Sequence, residues 1–100
     1  MSQPESKLSR KIMDGLRAQG WFAFKVHGSE YMMAGLTDII VCAEGKFIGL
    51  ETKMPQSRDN VSPKQRYVHT LIEHAGGTAT VICSVEEGIA AVMEALRNHE

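Results

Sequence analysis

Gly35-Leu36-Thr37-Asp38-Ile39-Ile40-Val41-Cys42-Ala43, then Glu44-Gly45-Lys46, then Phe47-Ile48-Gly49-Leu50-Glu51-Thr52-Lys53 is the stretch that decides the fold. Two apolar runs flank a short polar turn, the pattern of a β-hairpin. Residues 39–43 form a continuous apolar run, as expected of a strand buried on both faces. Three charges stand in this apolar setting: Asp38 where the first strand begins, and Glu51 and Lys53 near the end of the second. Strand side chains alternate, so Glu51 and Lys53 share a face, and the hairpin brings Asp38 within reach of that end. Each charge alone has an ordinary reading. Glu-x-Lys on an edge strand is commonly a solvated face, and a lone Asp before an apolar run is commonly a turn residue. Together these readings weaken, because a charge in or beside a core costs several kcal/mol unless it is paired or bound to metal. Two carboxylates and a lysine converging at strand ends suit a hard divalent cation beside a phosphate substrate.

Outward from the hairpin, capping signals mark the helices. Ser2-Gln3-Pro4-Glu5 is a capping box with Pro in the first turn, and Leu8, Ile12, Met13 and Leu16 follow at helical spacing. Glu5 falls in the middle of the Leu8/Ile12/Leu16 stripe, so it either caps its own helix or faces the core side. Lys7, Arg10, Lys11 and Arg17 lie on the other faces. Gln19-Gly20 ends this helix, and residues 21–27 read as a strand. A loop over residues 28–35 carries Tyr31, Met32 and Met33, which suit a lid on the core or a surface for bases or a partner. Residues 55–61 are polar and read as a flexible loop.

Ser62-Pro63-Lys64-Gln65 is a second capping box, opening a helix through Val68, Leu71, Ile72 and Ala75 to Gly76-Gly77. Gln65, at the edge of that apolar stripe, either caps or points toward the sheet. Lys64 and Arg66 flank it at a helix start, where backbone N–H groups favour phosphate. Residues 78–83 form another strand. Ser84-Val85-Glu86-Glu87 is a third capping box, before a helix with an acidic exposed face. The order is α-β-β-β-α-β-α. It predicts an α/β fold with a mixed sheet flanked by helices, in one domain over residues 1–100.

Composition narrows the function classes. At 43% hydrophobic the chain can build one core, and no apolar run reaches membrane-spanning length. A polar N-terminus without a signal-peptide apolar core predicts a cytosolic protein. Cys42 and Cys83 lie in apolar runs and read as buried free thiols. With no Cys-x-x-Cys, a zinc site is not expected, and His27, His69, His74 and His99 read as packing or surface residues. The net charge of −1 is unevenly spread. Residues 1–66 hold ten Lys/Arg against seven Asp/Glu, and residues 67–100 hold one against five. A cation on the acids would make the first two-thirds clearly positive.

Asp38, twelve intervening residues and Glu51-Thr52-Lys53 resemble the PD-(D/E)XK nuclease signature, with Thr37 where a Pro usually stands. With Gly35-Leu36-Thr37-Asp38-Ile39-Ile40, Gly49-Leu50-Glu51-Thr52-Lys53 and Val61-Ser62-Pro63-Lys64-Gln65, the chain more closely resembles the virus-type replication-repair nuclease (VRR-NUC) domain, over residues 5–81. The resemblance implies a restriction-endonuclease-like core and a metal-dependent DNA endonuclease. It implies that Asp38 and Glu51 hold Mg²⁺ or Mn²⁺ with the Thr52 backbone carbonyl, and with Glu5 through water. Lys53 would orient the attacking water or offset transition-state charge, and Gln65 would sit by the metal centre. Stand-alone domains of this length resemble homodimeric resolvases of four-way (Holliday) junctions in DNA repair and recombination. Arg10, Lys11, Arg58, Lys64 and Arg66 would then contact DNA. The alternatives are a monomeric nuclease for flaps or single-strand extensions and a catalytically inactive DNA-binding module. A small interaction protein in which Asp38, Glu51 and Lys53 form an ion pair is a third.

Overall fold

A computed structural model describes residues 4–28 and 30–98. Ser2 of the first capping box and His99 therefore lie outside the described residues. The elements run α1 (Pro4–Ala18), β1 (Phe22–Lys25), β2 (Ile39–Ala43), β3 (Lys46–Thr52), a 3₁₀ turn (Pro55–Ser57), α2 (Pro63–His74), β4 (Thr78–Ile82) and α3 (Val85–Arg97). This is the α-β-β-β-α-β-α order the sequence predicts. The sheet order is β1-β2-β3-β4. Its first two pairings are antiparallel, and β3 pairs with β4 in parallel, with α2 as the crossover.

The hairpin is tighter than its sequence suggests. Ala43 pairs with Lys46, leaving only Glu44 and Gly45 in the turn, at φ 51° and 79°. Two positive φ values give the turn the twist that antiparallel strands require, and Gly45 takes one of them without strain.

One face of the sheet carries the core. Ile39, Val41, Ala43, Ile48 and Leu50 from the hairpin pack with Ile12 and Leu16 of α1 and with Val92 and Ala95 of α3. Ile12, Leu16, Ile39, Ile48 and Leu50 are fully buried, each contributing roughly 1.5–3 kcal/mol. On the opposite face α2 packs on β4. The far side of that face, toward β1, stays bare.

That bare side corrects three expectations. Cys42 is exposed, because its side chain points to the uncovered face, whereas Cys83 is buried as expected. β2 is thus buried on both faces only in part. Tyr31, Met32 and Met33 are not a lid: all three are exposed, Tyr31 at 90%. Trp21, at the start of the same region, packs against the core.

Two glycines set the site's framework. Gly35 has φ +88°, and a Cβ there would lie 2.5 Å from the Lys64 carbonyl oxygen. The loop before β2 therefore presses on the first turn of α2. A Cβ on Gly49 would lie 2.6 Å from Thr37 Oγ1, so this glycine lets the loop cross close over β3.

Candidate active site

Asp38 stands one residue before β2, at the open end of the hairpin. Its carbonyl accepts the Val26 N–H at 2.7 Å, and its Oδ1 accepts the Thr52 N–H at 2.7 Å. The carboxylate thus spans the gap where the two strands diverge. Beyond it the Lys53 N–H donates to the Ile82 carbonyl at 3.0 Å, which ties the end of β3 to β4. On the other side, Asp38 Oδ2 lies 3.9 Å from Lys25 Nζ. Lys25 donates to Ser9 Oγ at 3.1 Å, and Ser9 donates to the Ser6 carbonyl at 3.1 Å.

Glu51 is 6% exposed, on the face of β3 toward α2. Its Oε2 accepts from Gln65 Nε2 at 3.1 Å. The same Gln65 accepts the Ser62 N–H through Oε1 at 2.9 Å, while its own N–H donates to Ser62 Oγ. Capping and reaching the sheet, which the sequence leaves as alternatives, are both done by one side chain. One turn on, His69 Nε2 lies 4.0 Å from Glu51 Oε1. Both atoms are buried without a hydrogen-bond partner among the described residues, as is Thr52 Oγ1.

The electrostatics follow from burial and from the pairing of like charges. Burial, then the Asp38 charge, push the Glu51 pKa up to about 7; Lys53 and Lys25 pull against them, and Glu5 adds a smaller push. Burial also raises Asp38, opposed by the Thr52 hydrogen bonds and by Lys25. Burial lowers His69. Two adjacent carboxylates, both resisting ionisation, form a site that a cation would relieve.

The donor set fits a small divalent cation. Glu51 Oε1 is an orphaned oxygen beside a second carboxylate, and all the donors are hard oxygens. Among the described residues no three His, Cys, Asp or Glu side chains converge as a metal-ligating group. Any remaining positions would fall to backbone carbonyl and water, which suits Mg²⁺. Glu5 is exposed on the first turn of α1, near enough for its charge to reach Glu51.

The expected DNA contacts are scattered more widely. Arg10, Lys11, Lys64 and Arg66 are exposed. Arg66 Nε donates to the Val61 carbonyl at 3.3 Å. Arg58 is engaged by Glu87 at 2.7 Å, an exposed pair. Glu87 also accepts the Cys83 N–H, so the third capping box closes one residue further back than expected. The sequence pattern does not mark Lys25 or Ser9 as neighbours of the carboxylates, and it reads His69 only as a packing or surface residue. Lys25 was signalled only by strand alternation, which puts it with buried Ala23 on the core face. His69 was signalled only by its place one helical turn after Gln65.

Compared by sequence, the chain matches no family model and no curated protein. Compared by structure, it is similar to a solved chain described as a VRR_NUC domain, with a TM-score of 0.69 and 19% identity, covering 92% of this chain and 97% of that one. This likeness runs over most of the chain, and the chain has the fold of a VRR-NUC domain.

Proposed function

We propose that this protein is a Mg²⁺- or Mn²⁺-dependent deoxyribonuclease that hydrolyses phosphodiester bonds, and that it acts as a homodimer on four-way DNA junctions. The observation that carries the chemistry is the buried Glu51 beside the half-buried Asp38, with Glu51 Oε1 left without a partner among the described residues. Asp38, Glu51 and the Thr52 carbonyl would hold the cation, with Glu5 through water. When bound, such a cation supplies Lewis acidity at a phosphate oxygen and a water acidified toward neutrality.

The chain's own residues prepare that site. The Thr52 N–H fixes Asp38 Oδ1, and the Gln65 amide fixes Glu51 Oε2; the second oxygens are Asp38 Oδ2, 3.9 Å from Lys25 Nζ, and the buried Glu51 Oε1, which has no hydrogen-bond partner among the described residues. Lys53 follows Glu51 at the strand end, where an ammonium can orient a water or offset charge on a phosphate in the transition state. Gln65 is itself held by the Ser62 cap, which preserves the geometry through a turnover.

Support for the dimer is the uncovered sheet face. Phe22 pairs in register with Cys42, and Cys42 with Phe47. Phe22 is 66% exposed and Phe47 45%. An apolar groove lined by Met33, Phe47, Val68 and Leu71 continues this face. A twofold axis through it would supply two sites of matching symmetry, as paired junction cuts require.

The test incubates four-way junction, flap, nicked and linear DNA with the protein, with Mg²⁺, with Mn²⁺ and with neither, and maps the cuts alongside sedimentation. Metal-dependent paired cuts by a dimer are expected. A monomer that trims flaps overturns the dimer and junction assignment alone. A protein that binds DNA but never cuts it with either metal overturns the nuclease.

A further inference from the structure

We infer that the cleft between α1 and β1 holds a nucleic-acid backbone phosphate on the α1 side of Asp38, with Lys25 as its central cation and Arg10 and His27 beside it. The inference rests on the nuclease reading for the identity of the anion.

Ser6, Ser9, Arg10, Met13, Lys25 and His27 line this cleft of about 290 Å³. The lining has three nitrogen bases or cations and two hydroxyls, and no carboxylate. Lys25 occupies the core-facing side of β1, where alternation would otherwise place an apolar residue after Ala23. Its ammonium has three protons to donate. One goes to Ser9 Oγ at 3.1 Å. At 3.9 Å from Asp38 it makes an ion pair but no hydrogen bond. Ser9 is 1% exposed and spends its own proton on the Ser6 carbonyl, so it holds Lys25 in place as an acceptor. The ammonium therefore retains protons for an incoming oxygen anion.

The position adds direction. Gln65 approaches Glu51 from α2, on one face of the sheet, whereas Lys25 reaches Asp38 from the α1 side. A strand laid across the end of the hairpin would place one phosphate at the carboxylates and its neighbour against Lys25. A cation on Asp38 would further weaken the hold of that carboxylate on Lys25 and favour a phosphate as its replacement partner.

The experiment measures binding of labelled duplex and branched DNA in EDTA across a salt series, for wild type, Lys25→Met, Lys25→Arg and Arg10→Ala, with melts to confirm folding. Lys25→Met should weaken binding about tenfold and lower the slope of log affinity against log salt by about 1. Lys25→Arg should retain both, and exposed Arg10→Ala should lower the slope independently of any effect on the core. A scan of single neutral methylphosphonate linkages should find one position that weakens wild type and leaves Lys25→Met unaffected. An unchanged salt slope in folded Lys25→Met, or a scan that affects both proteins alike, overturns the inference and leaves Lys25 a counter-ion for Asp38. Those outcomes beside metal-dependent cutting by wild type spare the nuclease reading. The expected binding pattern in a wild type that never cuts spares the phosphate site and overturns the nuclease.

Discussion

Glu51 is the residue where site and stability oppose each other. Its pKa stands at about 7 in the folded protein against 4.5 ordinarily, so the native state binds the proton more tightly than the unfolded chain. Stability therefore falls as pH rises through that window, by on the order of 3 kcal/mol for this group alone. Asp38 is shifted in the same direction and adds to the fall. Melts in EDTA should accordingly show a higher Tm at pH 5 than at pH 8. Glu51→Gln should flatten that dependence and raise the Tm at pH 8, and Mg²⁺ should raise the wild-type Tm there but not that of the variant. A wild type equally stable at both pH values would refute the buried pair. Gln65 and Ser62 separate capping from catalysis. Ser62→Ala should cost about 1 kcal/mol with little change in cleavage rate. Gln65→Ala should cost as much and also slow cleavage about tenfold, or about 1.4 kcal/mol of barrier. Equal rates for the two variants would leave Gln65 a cap only. The carboxylates and Lys53 were legible in the sequence because charges interrupt apolar runs. Lys25 and His69 were not, because a Lys ending a strand and a His on a helix become site residues only once the docking of α1 and α2 is known.

At the scale of elements, the hairpin carries both carboxylates, and its neighbours aim them. α2 brings Gln65 and His69, while α1 and β1 bring Ser9 and Lys25. The joint between these parts is Gly35 against the Lys64 carbonyl. A methyl group there meets backbone rather than a side-chain tip, and at φ +88° any Cβ adds strain. Gly35→Ala should destabilise by about 1–3 kcal/mol and slow cleavage beyond what the stability loss explains, since it shifts α2 against Asp38. Full activity at a temperature where the variant is folded would show that the joint only stabilises. Element order and capping were readable because Pro, Ser and Gly punctuate the chain. The two-residue turn was not, since Lys46 is as plausible in a loop as at a strand end, and register decides it.

The whole molecule is lopsided. α1 and α3 cover one face of the sheet, while α2 covers only the β4 side of the other. Phe22 and Phe24 meet as a tilted pair on the bare part, ring centres 5.7 Å apart, 66% and 42% exposed. The sequence lists such residues but does not tell which of them a helix covers: Trp21 packs inward, whereas its neighbour Phe22 stays exposed. Phe22→Asp with Phe47→Asp should yield a folded monomer by sedimentation that loses paired junction cuts and keeps metal-dependent cutting of simpler DNA. A double variant that still sediments as a dimer would place the interface elsewhere. Among the described residues no helix is long and apolar enough to cross a membrane. The exposed thiol of Cys42, set between Phe22 and Phe47 while Cys83 is buried, gives the native fold a built-in reporter. A maleimide dye should couple at one position without mutagenesis, and its rate of coupling would time how often that face is uncovered in solution.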